Sequence, residues 1–140
     1  MQIEARPLVQ RTDNRGRVFE VLRREHVPEE FGQVYVFTGS PGSVKGNHYH
    51  ARKTEWFCVI GGKGELILFD KRSQQRESII LSGDNPTVVT ISAGVAHAIR
   101  NLSDIEMVVL AYITEPYNPD DPDTFPFRSE EHTSELQSPY

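Results

Sequence analysis

The chain has 140 residues, with 15 Lys and Arg against 20 Asp and Glu, a formal net charge of -5, and 37% hydrophobic and 25% charged residues. That size and mix belong to one globular domain with a core of its own, and the acidic balance speaks against nucleic acid, whose phosphates need a basic face. No 18 apolar residues run together, so no membrane-spanning helix is expected and the protein is read as one without a membrane partner.

In chain order, the amino-terminal MQIEARPLVQ lacks the apolar stretch of a signal peptide. Short runs rich in β-forming residues then follow, punctuated by Gly, Pro, Asn and Ser. They predict strands at Arg17 to Arg23, Gln33 to Thr38, Lys45 to Ala51, Thr54 to Ile60, Glu65 to Phe69, Glu77 to Leu81, Thr87 to Ile91, Ala96 to Asn101 and Glu106 to Thr114. An all-β sandwich or barrel of about nine strands is the expectation. Gly61-Gly62-Lys63-Gly64 supplies the positive backbone angles of a tight hairpin between the fourth and fifth of them. Glu65 to Phe69 and Val108 to Ala111 are nearly continuous in apolar character, which predicts cover on both faces, from an opposing sheet and from a second subunit in a homodimer. The lone Cys58, inside the apolar run Trp56 to Ile60, cannot form an internal disulfide, and a buried thiol in a reducing cytoplasm is expected.

Glu115 to Asp123 holds three prolines and is expected to run as a loop over the surface. Arg128 to Ser138 reads RSEEHTSELQS, which matches the in-frame translation of a common sequencing-library adaptor. Residues 128–140 are therefore set aside as a non-native tail, the natural carboxyl terminus is expected to have been cut off, and His132 is no candidate for chemistry. Residues 1–127 form the single expected domain, without internal repeats.

The sharpest pattern is Gly42, His48, His50, Glu55 and Gly62, spaced G-x5-H-x-H-x4-E-x6-G. Two histidines one residue apart point to the same face of a strand, so His48 and His50 can converge on one ion from inside a barrel. Glu55 follows across a short turn. His97 lies in a second segment, Gly94 to Asn101, spaced G-x2-H-x3-N. Imidazole nitrogens with a carboxylate suit Zn, Fe, Mn, Ni or Co and leave positions open for water or substrate. His48, His50, Glu55 and His97 are thus candidate ligands of a divalent metal, zinc foremost.

These two segments resemble the paired motifs of the cupins, with Ser92 in place of the usual proline of the second. The resemblance implies a double-stranded β-helix, or jelly-roll barrel. The stretch FGQVYVFTGSPGSVKGNHYHARKTEWFCVIGGKGEL resembles, more narrowly, the carboxyl-terminal cupin domain of bifunctional capsular polysaccharide 3-epimerase/4-reductases that process UDP-N-acetyl 6-deoxy-4-hexuloses. Asp13-Asn14-Arg15-Gly16 with Phe19-Glu20, then Ser82-Gly83-Asp84, then Pro119 with Pro122-Asp123-Thr124, are similar to further segments of that family. More distantly the chain resembles the dTDP-4-dehydrorhamnose 3,5-epimerases and the sugar-nucleotide 3,4-ketoisomerases. No G-x-G-x-x-G precedes Asp13, so neither reductase activity nor a nicotinamide cofactor is expected. The Y-x-x-x-K spacing of Tyr49 and Lys53 falls in the cupin motif and is coincidence.

The resemblance implies a sugar-nucleotide epimerase or isomerase of surface-polysaccharide synthesis, acting beside the ketone of a nucleotide-linked 4-keto-6-deoxyhexose. Such a reaction removes a proton next to the ketone, holds the enolate and returns the proton on the other face. His48 is the first choice of base, matching the histidine of the related epimerases. Lys53 or the metal would hold the enolate charge, and Tyr112 is the candidate acid on the opposite face. Arg15 is the candidate for the diphosphate, with Glu20 and Lys45 as further substrate contacts. A lone pair bound to metal cannot also take a proton, so with metal always present Lys53 or a metal-bound water becomes the base. Two other readings stand beside this one: an oxygenase-type cupin holding Fe or Mn, and a non-catalytic binding module whose metal only braces the barrel.

Overall fold

The structure is a computed structural model and describes residues 1–28 and 30–127; the tail at 128–140, with His132, lies outside the described residues. Among the described residues twelve strands are formed: β1 (Glu4–Pro7), β2 (Gln10–Asp13), β3 (Gly16–Phe19), β4 (Gln33–Gly39), β5 (Val44–Tyr49), β6 (Glu55–Gly61), β7 (Lys63–Asp70), β8 (Gln75–Ser82), β9 (Thr87–Ile91), β10 (Val95–Asn101), β11 (Met107–Ile113) and β12 (Phe125–Pro126). One antiparallel sheet has the order β1-β9-β6-β11-β4 and the other β12-β5-β10-β7-β8, with β2-β3 as a separate hairpin. This is the jelly-roll barrel that the cupin resemblance implies.

Alternation along each strand builds the core. Phe57 and Val59 of β6, Leu66 and Leu68 of β7, Val89 and Ile91 of β9, Ile99 of β10, and Met107, Val109 and Ala111 of β11 meet between the sheets. The intervening residues Trp56, Cys58, Val88 and Tyr112 form a second cluster on the outer side of the first sheet, where Leu8, Val21, Leu22 and Val27 cover them. The β6–β7 turn takes its left-handed residue at Gly62, φ +73. A Cβ there would stand 3.0 to 3.1 Å from Ser103 and the Glu106–Met107 backbone.

Two departures from the sequence reading have local causes. Strands β1, β2 and β12 are additions, all short, polar or proline-bearing, and Pro7 and Pro126 end strands at sheet edges, where a missing N–H costs no ladder bond. The strand expected through Arg23 stops at Phe19, because Val21 and Leu22 leave the ladder to cover the outer cluster before a 3₁₀ turn at Arg24–His26. The outer face of β11 is only half covered within the chain, Val108 and Leu110 being half-buried.

Candidate metal centre

β5 is irregular where the site begins. Ile99, a core residue, pairs with Lys45, and His97 pairs with His48, so three residues step along β5 while two step along β10. The extra residue is accommodated by Gly46 at φ +100 and Asn47 at φ +60, residue types that accept left-handed backbone angles. Such a bulge inverts the alternation beyond it. His48, rather than Asn47, therefore shares the inner face with His97, and His50 follows two residues later. Glu55 opens β6 opposite Ile91 and Ile113, on the same inward face as Phe57.

The result is a buried cluster. One ligand atom from each of His48, His50, Glu55 and His97 lies within 4.8 Å of all the others, and none of the four residues is more than 3% exposed. Glu55 Oε1 stands 2.8 Å from His50 Nε2 and 3.2 Å from His97 Nε2, and Oε2 accepts the hydroxyl of Tyr35. Burial opposes the Glu55 charge, but the bonds and charges of His50 and His97 outweigh it and hold the carboxyl well below the usual range. Burial likewise opposes a charged His50, yet the Glu55 carboxylate raises its pKa above the ordinary imidazole value. His48 has no such partner. Burial, then the neighbouring His97, lower it to about 3, and among the described residues neither of its ring nitrogens has a hydrogen-bond partner. Three neutral-capable imidazoles and one carboxylate, with three imidazole nitrogens among them lacking a hydrogen-bond partner, both of His48 and Nε2 of His97, form a donor set that accepts a divalent cation.

The remaining candidates lie elsewhere. Tyr112 is corrected: it belongs to the outward alternation of β11, where its hydroxyl accepts the Gly32 N–H at 2.8 Å and its ring packs on Phe31 and Trp56. Lys53 is buried beside the β5–β6 turn with its ammonium donating to the Pro122 carbonyl at 3.0 Å. Arg15 is an exposed member of the β2–β3 turn and pairs with Asp13 at 2.7 Å, while Glu20 pairs with Arg23 at the surface. Lys45 is half-buried on β5, on the far side of the bulge from His48. Tyr49 faces outward, stacked on Phe125 under Lys71, so its spacing to Lys53 carries no chemistry. The sequence reading missed Tyr35, which touches Glu55. Its signal was the alternation of Gln33, Tyr35 and Phe37 on β4, masked because the intervening exposed positions are the equally apolar Val34 and Val36.

A cleft of about 580 Å³ lies near the amino terminus, and none of His48, His50, Glu55 and His97 lines it. Tyr49 and Ala51, on either side of His50, contribute to it, with Lys71, Arg72, Ser92 and Gly94.

Residues 11–125 match the family described as polysaccharide biosynthesis C-terminal domain. The spore coat polysaccharide biosynthesis protein SpsL of Bacillus subtilis (strain 168) is 30% identical over 127 residues, covering 86% of this chain and 84% of SpsL. The capsular polysaccharide assembling protein CapF of Staphylococcus aureus shares 36% identity at a TM-score of 0.69, over 88% of this chain but 35% of CapF. The dTDP-6-deoxy-D-glucose-3,5-epimerase RmlC of Legionella pneumophila, solved with dTDP-4-keto-L-rhamnose, has the same fold at a TM-score of 0.78 and 20% identity, over 94% of this chain and 80% of RmlC.

Proposed function

The chain belongs to the polysaccharide biosynthesis C-terminal domain family, and from that we propose that it is a sugar-nucleotide epimerase or isomerase acting beside the ketone of a nucleotide-linked 4-keto-6-deoxyhexose. The observation that carries the reading is the buried cluster of His48, His50, Glu55 and His97 inside the barrel. A likeness of fold to an epimerase that binds a dTDP-4-keto sugar supports it.

His48, His50, Glu55 and His97 would hold a divalent ion, with zinc first because nitrogen and carboxylate donors suit it. When bound, such an ion supplies stabilisation for negative charge developing at the ketone oxygen. His48 acts as ligand rather than base: an imidazole lowered to about 3 keeps its lone pair at neutral pH but draws protons weakly. Tyr35 replaces Tyr112 as the candidate proton donor, since its hydroxyl lies inside the barrel against Glu55. The cleft beside His50 receives the nucleotide, with Lys71 and Arg72 near its diphosphate and Arg15 reaching it only if the hairpin lies along the substrate. The protein works in the cytoplasm, consistent with its single buried thiol, and as a homodimer covering Val34 and Val36, exposed by 52% and 55% on the edge strand β4.

Incubation with UDP- or dTDP-4-keto-6-deoxyhexose in heavy water tests the reading. Deuterium is expected at carbon 3, and its absence overturns the proposal. Iron-dependent oxygen uptake would point to the oxygenase reading, and tight binding of unaltered sugar nucleotide to a binding module.

A further inference from the structure

The segment after β11 does more than cross the surface. Asp123, 3% exposed and in the left-handed region at φ +49, turns its carboxylate onto the β5–β6 connection. There it accepts the backbone N–H groups of Ala51 at 2.9 Å, Arg52 at 3.0 Å and Lys53 at 3.1 Å. Burial opposes its charge, and the three amides more than compensate, holding the carboxyl below its ordinary value. The segment is tied down around this point by Arg52 to Glu115 and Asp121, and by Lys53 Nζ to the Pro122 carbonyl.

The same residue reaches the cluster through its backbone. The Asp123 carbonyl lies 2.7 Å from His50 Nδ1, across 73 residues of sequence. A carbonyl can only accept, so Nδ1 must carry a proton, and the nitrogen left to face Glu55 is Nε2. The Gly94 N–H, donated to the His50 carbonyl at 2.6 Å, holds the backbone on the other side. By contrast, His97 Nδ1 leans on the Val95 carbonyl two residues away at 3.3 Å, and the ring of His48 has no such support among the described residues.

We propose that Asp123 is a positioning residue of the metal centre: its carboxylate locks the strap onto the β5–β6 turn so that its carbonyl imposes the Nδ1–H tautomer on His50 and presents Nε2 to the ion. This rests on the metal reading above and adds the residue that sets the affinity of that site. Outer partners of ligating histidines fix ring orientation and tautomer, and their loss weakens metal binding by about 10- to 100-fold.

The test uses the full chain in wild-type form and as Asp123→Gly, which keeps the left-handed backbone but loses the carboxylate, and Asp123→Asn, which keeps one acceptor oxygen. Zinc affinity is measured by competition with a chromogenic chelator. The His50 tautomer is read from assigned ¹⁵N shifts in metal-free protein, at a pH above its titration. Asp123→Gly is expected to bind zinc 10- to 100-fold more weakly with a mixed His50 tautomer, and Asp123→Asn about tenfold more weakly. Glu115→Gln, which breaks only the surface pair with Arg52, is expected to match wild type in both. Wild-type affinity and a pure Nδ1–H tautomer in a folded Asp123→Gly protein would overturn the proposal, and Asp123→Asn decides by the same two measurements if the glycine variant does not fold. Failure of the wild-type protein to bind zinc or another divalent ion would overturn the metal reading itself, while the tautomer measurement would still decide the hold of Asp123 on His50.

Discussion

The β2–β3 hairpin and the β5–β6–β10 centre both carry segments similar to one family, Asp13-Asn14-Arg15-Gly16 and Gly46-Asn47-His48-Tyr49-His50, yet their physical situations are opposite. In the hairpin, Asp13 accepts both the backbone N–H and the guanidinium of Arg15, two residues on, and the Arg15 side chain is 86% exposed. In the centre, each side chain is buried and answers to a distant segment: His48 to His97, Glu55 to Tyr35 and His97, His50 to Asp123. A motif that closes its own hydrogen bonds leaves the rest of the molecule unconstrained. One held by partners as distant as Glu55 with His97 and His50 with Asp123 is bound up with the fold, so changes there cost stability as well as chemistry.

The largest effect should come from Glu55→Ala. Removing the one carboxylate of a fully buried charged cluster costs about 3–5 kcal/mol, read as a lower urea midpoint of the metal-free protein, together with loss of zinc binding. An unchanged midpoint would break the comparison at its strongest point.

Next is the acid limb of stability. The His48 pKa is lowered from 6.5 to about 3 in the folded protein, so the unfolded chain takes up its proton first as pH falls. Its stabilisation is complete above pH 6.5 and is lost progressively as pH drops towards 3, on the order of 5 kcal/mol in all. Unfolding free energies of metal-free wild type and His48→Gln between pH 7 and 4 should show a flatter limb in the variant. His50 and Glu55 pull in other windows. The raised His50 favours the fold below 6.5 and loses its effect above, and the lowered Glu55 favours it above 4.5, so neither mimics the His48 limb.

Arg15→Ala should do least to the fold. Its thermal midpoint is expected to match wild type, while the KM for the sugar nucleotide rises with kcat retained if the hairpin meets the diphosphate. A fall in the midpoint would mean that the hairpin is tied to the barrel after all.

Much of the barrel was legible in the residues because a half-buried strand announces itself by alternation. Strands β4 to β11 lie where period two and the Gly-rich turns place them, within about two residues. Edge strands escaped because they need neither alternation nor apolar residues: β1, ending in Pro7, is held by the backbone of β9. Tyr112 was assigned to the chemistry because a run as apolar as Met107 to Ile113 does not say which set faces in, and parity with Leu110 put it outside. Asp123 stood out only as part of a similar segment, with nothing in its spacing to connect it to His50.

Residue types and their short spacings were enough to specify an all-β sandwich or barrel, the four side chains that meet in the cluster and the placing of His48 with His50 on one face, since strand alternation is a local property; the choice of a jelly roll came from the family resemblance. Tertiary structure alone decided how that face is turned inward, through a one-residue bulge at Gly46–Asn47 against β10, and that Tyr35 and the Asp123 carbonyl touch the cluster. The reason is that ladder register, burial and hydrogen-bond partners arise between segments far apart in the chain, and the ionisation of His48, His50 and Glu55 follows from those surroundings rather than from their own neighbours in sequence.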